Sequence, residues 1–318
     1  MQDNRVDTVV HGGLVVSSTA AYEASVAIKG EQITAVGPLE MLPRADNYID
    51  ATGKYVLPGA IDCHVHLGAV DDWANGPVAA AHSGLTTIIP FGTYEGASQG
   101  SLADVINRQV EEASAKSVVD FGLHFTLTND PTTIQGLPEA IRLGVTSFKM
   151  FLAYKKRLNR MCSDSHILKV METVAAHGGL VQLHAENGDM IDHLEDKAIA
   201  EGRVRPADFP ATAPPIAEAE AISRAIVLAG ITDCPLYIVH LSTKMGLEHI
   251  VRAQSNGQRV WTETCPQYLL LTDEEMERLG PFAKIGPPLR AADMVNQNAL
   301  WEGLAQGFIS ATGSDHSV

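Results

Sequence analysis

The chain has 318 residues, 45% of them hydrophobic and 19% charged, the composition of a folded globular protein rather than a disordered or fibrous chain. Its 23 basic and 38 acidic side chains leave a net charge of −15, which argues against a nucleic-acid or anionic-membrane partner, since both recruit basic surface. No apolar run approaches the ~18 residues of a membrane span, the start Met1-Gln2-Asp3-Asn4-Arg5 lacks the basic and apolar regions of a signal peptide, and four cysteines without paired spacing do not suggest a disulfide framework; a reducing, cytoplasmic location is expected.

The first 55 residues predict short strands. Val6–Val16 is β-rich with a Gly12-Gly13 turn inside it, and Ala24–Val36 reads as two runs around a Lys29-Gly30 turn, so a hairpin-built sheet is expected over 1–55. Leu57-Pro58-Gly59 punctuates a boundary, and the texture then changes over 56–318. Short apolar runs alternate with helical patterns: Tyr55–His66, Leu85–Gly92, Val118–Thr128, Val145–Ala153, Leu180–Glu186, Pro235–Ser242, Arg259–Cys265 and Phe308–Asp315. Between the fourth and fifth lies Ser163–His177, with Ile167, Val170, Met171 and Val174 at helical spacing and Gly178-Gly179 as its stop. The Pro-rich Phe209–Ile216 reads as an extended surface segment. Eight apolar runs alternating with helices predict an α/β fold, a closed parallel (β/α)8 barrel behind a small N-terminal β-sheet domain, rather than an open doubly wound sheet. The last run ends at Asp315, three residues before the chain stops, so the barrel is expected to lack the helix that follows an eighth strand.

In such a barrel catalytic groups sit at the C-terminal ends of strands. His64 and His66 end the first run, and a spacing of two on a strand puts both imidazoles on one face. His184 ends the fifth run, His240 the sixth and Asp315 the eighth. Lys149 lies inside the fourth, among Phe148, Met150 and Phe151, where an unpaired ammonium is costly to bury. It is either paired with a distant carboxylate or converted by CO2 to a carbamate, which replaces the cation with an anionic oxygen ligand able to bridge two metals. Four histidines, a carboxylate-like bridge and one aspartate suit two borderline divalent cations, zinc above all, and so predict metal-assisted hydrolysis with Asp315 passing a proton from water to a leaving nitrogen. His82, His124, His166, His177, His193 and His249 are read as structural. Cys63 is expected to point away from the histidine face as a packing residue, and Glu263 and Cys265 to pack or to form supporting hydrogen bonds.

Six segments carry a resemblance: Leu57-Pro58-Gly59-Ala60-Ile61-Asp62-Cys63-His64-Val65-His66; Thr146-Ser147-Phe148-Lys149-Met150-Phe151-Leu152-Ala153-Tyr154-Lys155; His184-Ala185-Glu186-Asn187; Leu236-Tyr237-Ile238-Val239-His240-Leu241-Ser242; Glu263-Thr264-Cys265-Pro266-Gln267-Tyr268-Leu269; and Gly286-Pro287-Pro288-Leu289-Arg290. They resemble the amidohydrolase superfamily, and within it the cyclic amidases of the dihydropyrimidinase and hydantoinase group. The resemblance runs the length of the chain but covers the first two-thirds or so of a usual member, as though the chain were truncated at its C-terminus. It implies that His64, His66 and Asp315 bind the more buried metal, that His184 and His240 bind the other, that carboxylated Lys149 bridges them, and that Tyr154 hydrogen-bonds the oxyanion of the tetrahedral intermediate. Asp315 and Tyr154 are then the catalytic pair. The resemblance also implies that the N-terminal sheet is half of a composite β-sandwich and that the protein is a homotetramer.

Gly68 stands where dihydroorotases carry a carboxylate-binding Arg, and Tyr154 is present where allantoinase-like members usually lack it. Both point to a neutral cyclic imide or ureide. The implied reaction opens a hydantoin or dihydropyrimidine to an N-carbamoyl amino acid. The alternative within the class is an allantoinase-like ureide hydrolase. The alternatives outside it are a non-catalytic dihydropyrimidinase-related scaffold or an inactive fragment. Gly286 stands where hydantoinases commonly have Ser, and Phe151 and Leu158 are candidate walls for the ring substituent.

Overall fold

The computed structural model describes residues 5–68 and 70–317 and divides into two units, Met1–Ala60 and Ile61–Val318. In the first, β1 (Val6–His11), β2 (Leu14–Val16), β3 (Ala21–Glu23), β4 (Ser25–Lys29), β5 (Gln32–Gly37), β6 (Ala45–Asp50) and β7 (Tyr55–Val56) form two sheets. One has the order β5-β4-β1-β6, the other β3-β2-β7. The β4–β5 hairpin turns at Gly30, whose φ of +59° is a conformation glycine adopts at little cost. The expected turn at Gly12-Gly13 has a different outcome: β1 and β2 are not a hairpin pair but lie in different sheets. Gly12 has a φ of +75°, and a Cβ on Gly13 would stand 2.7 Å from Val56 Cγ2, so the two glycines let the chain pass between sheets in close contact with them. Val6, Val9 and Ala27 form the buried centre of this unit.

The second unit is a TIM-like parallel barrel. Its strands are β8 (Ala60–His66), β9 (Leu85–Tyr94), β10 (Asp120–Phe121), β11 (His124–Leu127), β12 (Ser147–Phe151), β13 (Leu180–His184), β14 (Leu236–Ile238), β15 (Val260–Thr264), β16 (Ala311–Thr312) and β17 (His316–Ser317). The order is β16-β15-β14-β13-β12-β11-β9-β8-β17, with β10 a side branch on β9. The apolar run at 118–128 thus yields two short strands rather than one. The final run closes the ring in two pieces, since Ala311–Thr312 pairs with β15 and His316–Ser317 with β8. Gly313-Ser314-Asp315 lies at the break, in reach of strands on both sides.

The helices are α1 (Gly76–His82), α2 (Leu102–Lys116), α3 (Leu137–Arg142), α4 (Asp164–Ala176), α5 (Gly188–Ala200), α6 (Pro215–Thr232), α7 (Lys244–Ser255), α8 (Pro266–Leu270), α9 (Glu274–Leu279) and α10 (Val295–Ala305). The α4 helix begins at Ser163, whose side chain accepts the His166 amide, and buries Ile167, Val170, Met171 and Val174 in the main core. Full burial of such side chains contributes roughly 1.5–3 kcal/mol each. The Pro-rich 209–216 segment is not an extended surface strand: Pro210–Thr212 is a 3-10 turn, Thr212 and Ala213 are buried, and Pro215 opens α6 with its ring-fixed φ. All four cysteines are free, and no helix among the described residues is long and apolar enough to cross a membrane.

Candidate metal centre

Strand alternation puts His64 and His66 on one face of β8, and Asp62 ties that strand to the closing run by accepting the backbone amides of His64 (3.1 Å) and Ser314 (3.0 Å). The Asp315 amide in turn donates to the His64 carbonyl (3.0 Å). His64 Nε2 therefore faces three groups at once: His66 Nε2 at 3.2 Å, Asp315 Oδ1 at 3.0 Å and Lys149 Nζ at 2.9 Å. His66 Nε2 lies 3.4 Å from the same Asp315 oxygen. One ligand atom from each of His64, His66 and Asp315 falls within 4.8 Å of the others, a possible metal-binding group.

The supporting carboxylate is Glu263, at the end of β15 and 1% exposed. Its Oε1 accepts His64 Nδ1–H, which leaves the Nε2 lone pair aimed into the cluster. It also accepts the Tyr237 hydroxyl (3.1 Å), the Cys63 thiol (3.2 Å) and the His240 amide (3.3 Å). Burial raises the Glu263 pKa, but the hydrogen bond and charge of His64 outweigh it and hold the carboxyl below its ordinary range. Burial and the Glu263 charge push the Cys63 thiol up to about 12, so it stays a neutral donor. Cys63 does point away from the histidine face, as alternation requires, yet it is a partner of Glu263 rather than plain packing.

His184 and His240 meet nearby. His184 Nε2 donates to Glu186 Oε2 (2.8 Å), which turns its Nδ1 toward His240 Nε2 at 2.8 Å. His240 Nδ1 and Glu186 Oε1 are buried without a partner. Burial, then the neighbouring His184, drives the His240 pKa well below the ordinary histidine value and favours its neutral ring. Two residues on, Ser242 joins a buried charge pair. Its hydroxyl donates to Glu218 Oε1 (2.8 Å) and accepts from Arg290 Nε (3.0 Å) and Nη2 (2.9 Å).

Lys149 is the charged residue among the largest fully buried side chains. Its Nζ sits 4.4 Å over Phe91 and 5.4 Å over Phe151. Burial pulls the amine down to about 8, against the upward pull of Asp315 and Glu263. Among the described residues Lys149 is in no ion pair with a carboxylate of the kind considered from sequence; its Nζ lies 2.9 Å from His64 Nε2.

These side chains open on a cavity of about 370 Å³ lined also by Phe151, Tyr154 and Gly286. The Tyr154 ring lies 5.0 Å from His184 and 5.6 Å from Phe151, and burial followed by the Glu186 charge raises its pKa, keeping the phenol a donor. A Cβ on Gly286 would stand 2.7 Å from the Tyr154 hydroxyl, so glycine there makes room for it. Tyr154, His240 and Asp315 all have positive φ, at +66°, +41° and +54°. Such backbone costs of order 1–3 kcal/mol each and gathers at functional sites. Leu158 is a correction: it is 91% exposed on the loop beyond Tyr154 and does not line the cavity. Glu186 was missed, although its spacing of two from His184 at a strand end was a readable signal.

No family model matches the chain. It is 38% identical over 323 residues to a D-hydantoinase of Ralstonia pickettii, covering 98% of this chain and 69% of that protein. It is 36% identical over 319 residues to an allantoinase of Rubrobacter xylanophilus, covering 98% and 68%. The crystal structure of dihydropyrimidinase from Brevibacillus agri superposes with a TM-score of 0.89 at 37% identity, covering 97% of this chain and 68% of that one. With that identity sustained over nearly all its residues and the fold shared, the chain belongs to the hydantoinase and dihydropyrimidinase family of cyclic amidohydrolases.

Proposed function

We propose that the protein adds water across the ring C–N amide bond of a hydantoin or dihydropyrimidine and releases an N-carbamoyl amino acid. The observation that carries this reading is the convergence on His64 Nε2, where an imidazole lone pair, a second imidazole, a carboxylate oxygen and a buried amine meet within 3.2 Å of it. Imidazole nitrogens and carboxylate oxygens gathered this closely, with the His184–His240 pair nearby, are the donor types that bind a divalent cation.

In this reading His64, His66 and Asp315 would hold one cation and His184 and His240 a second, with Lys149, as a carbamate, the residue that would serve both. Carbamate formation requires the neutral amine, which adds to CO2 and loses one proton; burial of Lys149 favours that form. Two divalent cations, zinc by the donor set, supply Lewis acidity and a water acidic enough to attack near neutral pH. Asp315, ionised, accepts the proton of the attacking water and returns it to the ring nitrogen as the C–N bond breaks. The Tyr154 hydroxyl donates to the oxygen that gains negative charge when the carbonyl becomes tetrahedral. Phe151 and the Gly286 backbone bound the space for the ring.

The test is metal content together with turnover. About two equivalents of metal per chain are expected, with hydantoin and dihydrouracil opened and both metal and activity lost in Lys149→Ala. The allantoinase relative makes allantoin the necessary comparison: turnover of allantoin alone replaces the hydantoinase reading with that one. Metal content unchanged in Lys149→Ala refutes the bridge. The same reading expects a cytoplasmic homotetramer, which light scattering on the purified protein checks.

A further inference from the structure

The cavity beside the candidate metal centre holds positive charge that ring opening does not use. Arg157, Arg160 and Lys284 line it, and among the described residues none of the three is in an ion pair. Arg157 and Lys284 are exposed and Arg160 is half-buried, so all three can be reached from the cavity. Each rests on an aromatic face: Arg157 4.8 Å over Tyr154, Arg160 4.1 Å over Phe151, and Lys284 4.6 Å over Phe209. Cation–π contacts of this kind fix a cation while leaving its N–H groups free to donate. Arg160 Nε is buried with no hydrogen-bond partner. Burial and then the nearby Arg157 lower the proton affinity of Arg160, a cost that an anion placed between the two guanidinium groups relieves.

The loop that presents the two arginines is tied at several points. The Arg157 amide donates to Tyr154 O (2.9 Å), Arg160 to Arg157 O (3.1 Å), Asn129 to Asn159 O (2.8 Å) and Cys162 to Phe151 O (2.8 Å). The arginines are therefore held three residues apart on a turn anchored to the strand that carries Lys149. Asp315 is the carboxylate that lines the cavity, and it is committed to His64 and His66. Glu95 reaches Arg160 through its field but forms no ion pair with it among the described residues.

We infer that the substrate is a cyclic imide with an uncharged ring and a carboxylate on its ring substituent, and that Arg157 and Arg160, with Lys284 at the rim, select it. This rests on the ring-opening reading above. A planar carboxylate matches the guanidinium fork, and the cavity volume suits a single small ring with a short arm.

The experiment compares hydantoin-5-acetic acid with its neutral isostere hydantoin-5-acetamide. In metal-loaded protein, kcat/KM is expected to favour the acid by about tenfold or more, and Arg160→Gln and Arg157→Gln to shrink that ratio severalfold while Arg160→Lys keeps more of it. The carboxylate created by ring opening is common to both and cancels in the ratio. A ratio at or below unity, or one that neither Gln variant alters, overturns the inference. Calorimetric titration of the metal-free protein with the same two compounds is the second arm. Tighter binding of the acid, lost in folded Arg160→Gln, supports the inference even if neither ring is opened, a result that would count against the hydrolase reading alone. Equal binding of the two compounds overturns the inference.

Discussion

Replacing Glu263 by Gln removes one charge and almost no volume, yet it strikes the group on which His64 depends. Glu263 accepts from His64 Nδ1, Tyr237, Cys63 and the His240 amide. A carboxylate accepts all four; an amide presents one oxygen and an NH2 that faces at least one donor. A buried donor left unpaired costs about 1–3 kcal/mol, and a lost charge-assisted bond to His64 adds a similar amount. The metal-free variant is therefore expected to lose about 2–4 kcal/mol of stability by urea denaturation. His64 Nδ1 also loses its fixed acceptor, so the Nε2 lone pair is no longer enforced, and metal affinity should drop by about 10–100-fold in a competitive chelator titration. The pH dependence has a defined sign. Glu263 has a lowered pKa when folded, so its contribution is complete above the unfolded glutamate value near 4.5 and is lost as pH falls through the lower folded value. The acid-side slope of stability should flatten in Glu263→Gln. Unchanged metal affinity with unchanged acid stability refutes the claim that Glu263 orients His64.

Three further outcomes follow from single contacts. Gly286→Ala places a Cβ 2.7 Å from the Tyr154 hydroxyl and displaces it, so kcat on hydantoin should fall about tenfold or more with little change in Tm; an unaltered kcat removes Tyr154 from the reaction. Ser242→Ala strips one partner from each of two buried charges, Glu218 and Arg290, and is expected to cost about 2–5 kcal/mol in urea denaturation, whereas a loss under about 1 kcal/mol means the pair is satisfied without it. Phe148→Ala empties a fully buried position beside Lys149 and should cost about 3–5 kcal/mol; a melting temperature within a degree or two of the parent's contradicts the packing described.

Much of the barrel was legible because parallel strands covered on both faces leave continuous apolar runs, and because alternation alone puts His64 and His66 on one side of β8. The Ser163 start and Gly178-Gly179 stop of α4 were equally local signals. What was not legible depends on distance in sequence. Glu263 lies 199 residues from the His64 it orients, and no pattern around either names the other. The division of the last run between two neighbours, β15 and β8, is a property of ring closure that a linear run cannot express. Leu158 was misplaced because periodicity does not say which way a loop residue faces. Arg157 and Arg160 are visible as residues in the sequence, but that neither is in an ion pair among the described residues is visible only in three dimensions.

The account turns on Lys149 carrying a bridge between two cations. Electron density for protein crystallised with its metals tests this most directly. A planar carboxylate extending from Nζ, with one cation among His64, His66 and Asp315 and another beside His184 and His240, is the expected result. A bare amine at Lys149, with no cation held by the histidines, contradicts it.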